Sequence, residues 1–283
     1  MIIVRLQGGL GNQLFQYSFA RSIAWKLNTS LYFDVNWYLN KHREYPFELS
    51  LLHFNTVVKV YPRIGEYIYK KLLKIEKLNK IFSFIPNYIS EENFSGYKLI
   101  SMNNLYFDGY WENYILFSDY NKNLLNEFTL KSDFTIANKL YVDSILSSNS
   151  VSVHLRGGPY LNDPNINVNY EECTPDYFNK AFNFIRNKVE NPLFFVFSND
   201  NIWAKKYLNY TDDIVFIENE GPDYEHLIMM SLCKHNIIVN STFSWWGAWL
   251  NKNRHKIVVA PIKWFRGKKE NIKYPISWVR IKN

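Results

Sequence analysis

An apolar, β-branched run at residues 2–6 stops at Gly8, Gly9 and Gly11, and a helical pattern begins directly behind them. That junction constrains the chain more than any other feature. Ile2, Ile3 and Val4 suit a buried strand, and Leu14, Phe15, Phe19 and Ile23 recur at helical spacing. A second strand is expected from Leu31 to Val35. Strand, glycine turn, helix and strand together open a doubly wound parallel sheet. A polar break at 147–150 precedes a second series, with strands expected at 151–155, 193–197, 214–217, 236–240 and 256–260. Helical patterns at 176–189 and 225–234 alternate with them. The expected architecture is α/β, two Rossmann-like lobes at 1–148 and 149–283, each a parallel sheet flanked by helices.

A chain of 283 residues holds two average domains, and 47% hydrophobic residues exclude disorder as its main state. Aromatic residues reach 18%, which fits stacking on sugars or bases and fits an aromatic core equally well. Cys173 and Cys233 stand alone, outside any CxxC or Cys/His cluster, so neither zinc nor a disulfide framework is expected. A reducing, cytoplasmic setting follows. The first residues lack a signal-peptide core, and no apolar run approaches the roughly 20 residues of a membrane span.

The net charge of +7 is concentrated. Lys59, Arg63, Lys70, Lys71, Lys74, Lys77 and Lys80 face only Glu66 and Glu76 in a segment with helical periodicity. One reading is a solvated helix face covering the core. The other is peripheral contact of residues 59–80 with an anionic membrane. No nucleic-acid module accompanies the charge, so nucleic acid is not expected as a partner.

Three segments carry chemistry. In Gln7-Gly-Gly-Leu-Gly-Asn-Gln13, the glycines let backbone approach a ligand at a helix start. A dinucleotide reading, with Asp34 on a ribose, fails its fingerprint because position 14 is Leu. In the second segment, a strand delivers His154 and Arg156, and Gly157 and Gly158 turn the chain into an anion nest. Arg156 can grip two phosphate oxygens there, or pair with a carboxylate as a structural residue. The third segment is a strand ending in Asn240, followed by Ser241, Thr242, Phe243 and Ser244 at a helix start. Three tryptophans, Trp245, Trp246 and Trp249, fall within five positions behind it.

Here the chain resembles glycosyltransferase family 11, the α-1,2-fucosyltransferases, along nearly its whole length. The resemblance rests on GGLGNQLFQYSFA at the start, Phe107-Asp-Gly-Tyr-Trp111, Cys173-Thr-Pro-Asp-Tyr-Phe178 and Phe194-Phe-Val-Phe-Ser-Asn-Asp200. NSTFSWWGAWL, Val258-Val-Ala-Pro-Ile-Lys-Trp-Phe265 and Ser277-Trp-Val279 complete it.

The resemblance implies a GT-B-like enzyme with an acceptor side on the first lobe and a nucleotide-sugar donor on the second. Inverting transfer of L-fucose from GDP-L-fucose to a glycan hydroxyl, O-2 of galactose, is implied, within O-antigen or surface-polysaccharide synthesis. A lipid-linked acceptor fits that setting. Arg156 matches the arginine on the donor β-phosphate, and His154 matches the histidine near guanine. Ser241, Thr242, Phe243 and Ser244 match the segment cradling the diphosphate, with Gly157 and Gly158 in the loop beside it. Gly9, Gly11, Asn12 and Gln13 match the donor or acceptor loop. Where the family usually reads HxRRGDY, this chain has His154-Leu-Arg156-Gly157-Gly158-Pro159-Tyr160. His226 stands where relatives often carry a guanine-reading Asp. A family relative using another GDP-deoxyhexose or nucleotide-sugar donor, or a non-catalytic sugar-binding relative, is the alternative. With no Asp-x-Asp in the chain, no cofactor and no metal are expected, and Arg156 with helix N–H groups supplies the charge.

Overall fold

A computed structural model describes residues 1–39, 50–61, 86–94, 104–157, 170–208, 211–218, 221–267 and 274–283. Most of the basic segment, 62–80, lies outside the described residues, as does Gly158. The chain divides into two compact units, Met1–Lys131 and Ser132–Asn283.

The first unit runs β1 (Ile2–Arg5), α1 (Leu10–Lys26), β2 (Leu31–Asp34), β3 (Asn87–Ser90), β4 (Leu105–Asp108) and α2 (Asn121–Glu127). Its described strands form one parallel sheet in the order β2–β1–β4–β3. β1 is central, and Ile2, Ile3 and Val4 are buried, as a strand covered on both faces requires. The sequence pattern marks one apolar face of α1, yet the helix is buried almost all round. Tyr17 stacks on Phe33 at 5.5 Å, and Phe19 stacks on Trp111 at 3.9 Å.

The second unit contains α3 (Ile136–Ser147), β5 (Asn149–Leu155), α4 (Pro175–Arg186), β6 (Pro192–Ser198), α5 (Asn201–Tyr207) and β7 (Ile214–Phe216). It continues with α6 (Asp223–Leu232), β8 (His235–Ile237), α7 (Thr242–Leu250), β9 (Val258–Pro261) and β10 (Val279–Ile281). The strand order is β10–β9–β8–β5–β6–β7, all parallel. The chain winds outward from β5 to β7, then restarts on the other side of β5 with β8. The order therefore reverses between β5 and β8, and crevices at such reversals, at the carboxyl ends of the strands, hold ligands in doubly wound sheets.

One side of β5, with Val151, Val153 and Leu155, packs into a core with Tyr177, Phe178 and Phe182 of α4. Thr174 caps that helix by accepting from the Tyr177 N–H at 3.5 Å. The other side carries Ser152, whose hydroxyl accepts from Asn236 Nδ2 at 2.7 Å, and the same amide donates to the Met230 carbonyl of α6 at 2.9 Å. Helices α6 and α7 pack closely, because a Cβ on Gly247 would lie 2.9 Å from that of Met230.

The division between units falls at Lys131, not near residue 148. The polar run taken as a linker is a tight turn: α3 ends at Ser147 and β5 begins at Asn149. The hydroxyls of Ser147 and Ser148 close the last turn of α3 by donating to the Asp143 and Ser144 carbonyls, both at 2.8 Å. The start of α3 is fixed by α6. The buried Glu225 carboxylate accepts from the Thr135 N–H at 3.1 Å, its hydroxyl at 2.9 Å and Asn138 Nδ2 at 2.7 Å. No helix among the described residues is long and apolar enough to cross a membrane.

Candidate functional site

The reversal between β5 and β8 brings the second and third sequence segments together. His154 is the penultimate residue of β5, and its register partner on β6 is Phe197. Paired residues of parallel strands project to the same face. Phe197 meets the His226 ring of α6 at 6.1 Å, and His154 meets the Phe243 ring of α7 at 5.6 Å. Four rings, Phe243, His154, Phe197 and His226, thus form a row across the carboxyl ends of the strands.

Both imidazoles in this row are short of a partner. His154 Nδ1 and His226 Nε2 are buried and make no hydrogen bond among the described residues. Burial, aided by the nearby Arg156 charge, pushes His154 down to about 3, so its ring is neutral at ordinary pH. Burial also lowers His226, against the opposing pull of Glu225. A buried polar atom without a partner costs stability, so each such nitrogen calls for a physical reason. Arg156 follows at the strand end and is exposed.

The other side of the reversal carries the start of α7. Ser241 at the N-cap makes no side-chain cap bond to α7, so the positive end of the helix is not neutralised by its hydroxyl. Thr242 and Phe243 are half-buried there. Asn240 anchors the turn by donating to the carbonyls of Glu171 and Trp264. The Tyr177 hydroxyl holds the preceding backbone at the Ile238 carbonyl, 2.5 Å away.

Several expected roles change. The Gly157 N–H does not face an anion: it donates to Asn199 Oδ1 at 3.1 Å, and the Gly157 carbonyl accepts from Asn199 Nδ2 at 3.0 Å. The need for glycine there is steric, since a Cβ would lie 2.0 Å from the Trp203 ring. Ser244 is buried, its hydroxyl donating to the Ser241 carbonyl at 3.2 Å, so it shapes the turn and does not face the site. Trp245 and Trp246 are fully buried core. Phe197, Asn199 and Trp203 are site-shaping residues that sequence reasoning missed. Alternation along β6 could have flagged Phe197 as a mate of Phe195 on one face.

In the first unit the glycine loop leaves the carboxyl end of β1, again beside an order reversal, here between β1 and β4. Gly8 has φ +79°, and its carbonyl accepts from the Tyr38 hydroxyl at 2.7 Å. Gly11 is buried, whereas Gly9 and Asn12 are half-buried at the loop surface. Gln13 is fully buried, with Oε1 accepting from the Leu51 N–H at 3.2 Å and Nε2 donating to the Gly8 carbonyl at 3.4 Å. It builds the loop from beneath. Asp34 is likewise internal, accepting from the Tyr106 hydroxyl at 2.5 Å and the Asn36 N–H at 2.9 Å, which removes the ribose-binding reading.

Each unit is a parallel sheet flanked by helices, and together they define a GT-B-like α/β fold. The chain belongs to glycosyl transferase family 11, whose model matches residues 1–282. It is 33% identical to an alpha-1,2-colitosyltransferase of Escherichia coli, over 99% of this chain and 99% of the relative. It is 31% identical to the O-antigen biosynthesis glycosyltransferase WbnK of Escherichia coli, over 98% and 99% of the two chains. In structure it is similar to the NodZ alpha-1,6-fucosyltransferase soaked with GDP-fucose, with TM-score 0.51, 13% identity and coverage of 88% and 92%.

Proposed function

We propose that this chain transfers a 6-deoxyhexose, L-fucose in the leading reading, from its GDP derivative to O-2 of a galactose in a surface glycan, with inversion and without a metal. The observation that carries this reading is the pair of unpartnered imidazole nitrogens, His154 Nδ1 and His226 Nε2, in one aromatic row beside Arg156. A purine ring stacks on such a row and offers hydrogen-bonding edges to both nitrogens.

In this mechanism the bond from C1 to the diphosphate breaks through an oxocarbenium-like transition state. Negative charge grows on the leaving diphosphate, where the Arg156 fork and the first-turn N–H groups of α7 meet it. The acceptor oxygen attacks the opposite face of C1. His154 and His226, being neutral, orient the base without adding charge that would hold GDP after transfer. The donor lobe is residues 149–283 with α3 added, and the first unit with Gly9, Gly11 and Asn12 holds the acceptor. Peripheral membrane contact through residues 59–80 and a cytoplasmic setting belong to the same proposal.

A second reading changes only the sugar. The Escherichia coli relative is named for colitose, and a dideoxy sugar differs from fucose by one hydroxyl. The deciding experiment is a panel of nucleotide sugars, GDP-L-fucose and GDP-colitose among them, with GDP release measured with and without lactose and with EDTA present. Acceptor-stimulated release from GDP-L-fucose, indifferent to EDTA, is expected. Release from GDP-colitose alone moves the assignment to the second reading. Binding of GDP without turnover of any donor would leave a sugar-binding relative, and loss with EDTA restored by Mn²⁺ would end the metal-free mechanism.

A further inference from the structure

Helix α3 turns an apolar face to solvent. Among the described residues, no other helix exposes more than one large apolar side chain, yet α3 exposes Ile136 at 86%, Leu140 at 73% and Leu146 at 58%. Its inner side is occupied. Asn138 and Ile145 are buried, and Asn138 Nδ2 donates to the Glu225 carboxylate of α6 at 2.7 Å. Residues three or four apart on a helix are surface neighbours, so Ile136, Lys139, Leu140 and Asp143 form one outward stripe, flanked by Leu146 and Ser147.

The two charges on this stripe are not consumed within the chain. Lys139 reaches Asp133 at 3.8 Å with both groups exposed, a contact that water screens to little worth. The Asp143 carboxylate forms no ion pair among the described residues. Its backbone carbonyl accepts from the Ser147 hydroxyl at 2.8 Å, which leaves the side chain available.

A stripe with apolar residues, one cation and one anion can complement itself under a two-fold axis. Set two α3 helices antiparallel, with the axis level with Tyr141. Lys139 and Asp143 lie two positions on either side of that level, and Ile136 and Leu146 lie five positions on either side. Each Lys139 then stands level with the partner's Asp143, and each Ile136 with the partner's Leu146. Leu140 falls next to the axis, in the middle of the contact.

We propose that α3 is a homodimer interface, in which two copies of this chain pair antiparallel through Ile136, Leu140 and Leu146, with Lys139 and Asp143 fixing the register. Anionic headgroups suit the stripe less well, because they select an excess of Lys and Arg and this face matches its cation with an anion. The helix enters the contact already ordered, since Glu225 holds its start by accepting from the Thr135 N–H and hydroxyl. Its 12 residues rise about 1.5 Å each, so the contact is about 18 Å long. That is the small end of stable interfaces, and a weak dimer with a Kd of about 10–100 μM is expected.

Sedimentation velocity on the whole chain from about 1 to 200 μM spans that range. The unmodified protein should pass from monomer to dimer. Lys139→Glu sets two carboxylates level across the axis, and Asp143→Lys sets two ammonium groups level. Each change is felt twice under the two-fold axis, so either variant alone should associate about tenfold or more weakly. Mixed in equal amounts, the two variants should pair with each other and recover the dimer, because every facing pair is again opposite in charge. That recovery also shows that both variants fold. Ile136→Ser combined with Leu140→Ser should leave a monomer with unchanged circular dichroism. A monomer at every concentration overturns the inference, as does a dimer indifferent to both charge substitutions or a mixture that stays monomeric. Flotation of an unmodified monomer with vesicles of anionic lipid, lost in the serine variant, would give the face to a membrane instead. No nucleotide enters these measurements, so their outcome is separate from that of the donor panel.

Discussion

Asn199 grips Gly157 with both ends of its side-chain amide, accepting the glycine N–H at 3.1 Å and donating to its carbonyl at 3.0 Å. The loop that carries Arg156 is thereby fastened to the loop behind β6. The Trp203 ring fills the space a side chain would need at Gly157. Gly157→Ala should force the backbone away from Trp203, costing about 1–3 kcal/mol as overpacking does and weakening GDP binding. Trp203→Ala in the same chain should restore part of the affinity, as calorimetric titration with GDP would reveal. Equal GDP affinity in Gly157→Ala and the unmodified protein would sink this account.

Arg156 stands exposed at the mouth of β5. Its help is greatest when charge accumulates on the leaving diphosphate, so Arg156→Ala should lower kcat by roughly 10²–10³. Lysine should recover little, because a point charge cannot reproduce a two-oxygen fork. Thermal melting should hardly change. Full turnover together with a lower melting temperature would instead make Arg156 a structural ion-pair partner.

His154 makes stability depend on pH. Its folded value is pushed from 6.5 to about 3, so the native ring stays neutral while the unfolded chain takes up a proton below pH 6.5. The unfolded state then binds more protons, and stability, complete above pH 6.5, declines as pH falls toward 3. The slope from this one group approaches about 1.4 kcal/mol per pH unit once the unfolded ring is charged. Urea midpoints taken on the acid side of neutrality should fall more gently for His154→Gln. Parallel declines in the two proteins would mean that His154 is not the group responsible.

Neighbours on α6 have opposite duties. Glu225 closes the start of α3, and Glu225→Gln should cost about 1.5–3 kcal/mol, the range for hydrogen bonds to a charged group, with little change in GDP affinity. His226→Phe should do the reverse, sparing the urea midpoint and weakening GDP binding. The pair of measurements fails if both variants lose the same property.

β1, β2 and β5 to β9 were readable because apolar runs between glycines and polar breaks have few alternatives, whereas β3, β4 and β10 were not read as strands. The junction after β1 and the helix start at Ser241 were visible for the same reason. What escaped was set by tertiary register. Phe197 reaches the site because β6 aligns it with His154. Gly157 lost its anion-binding role to an amide 42 positions away in sequence. Gln13 and Ser244 carry polar side chains that look available on paper, yet each is folded inward to complete the backbone of its own turn. The boundary near 148 misled because serines that end a helix and serines in a linker are the same letters.

In the first unit, Gln16 of α1 accepts from the Gln7 N–H at 3.0 Å, and its Nε2 lies 3.3 Å from the carbonyls of both Gln7 and Gly109. One helix side chain thus supplies the rung that the strands no longer provide beyond their ends. The exits of β1 and β4 are tied to the same amide, which couples the glycine loop to the Trp111 segment, where φ is +58°. Amides in the two stretches should exchange with solvent in one cooperative event, and a substituent that loosens either exit will be felt at the other.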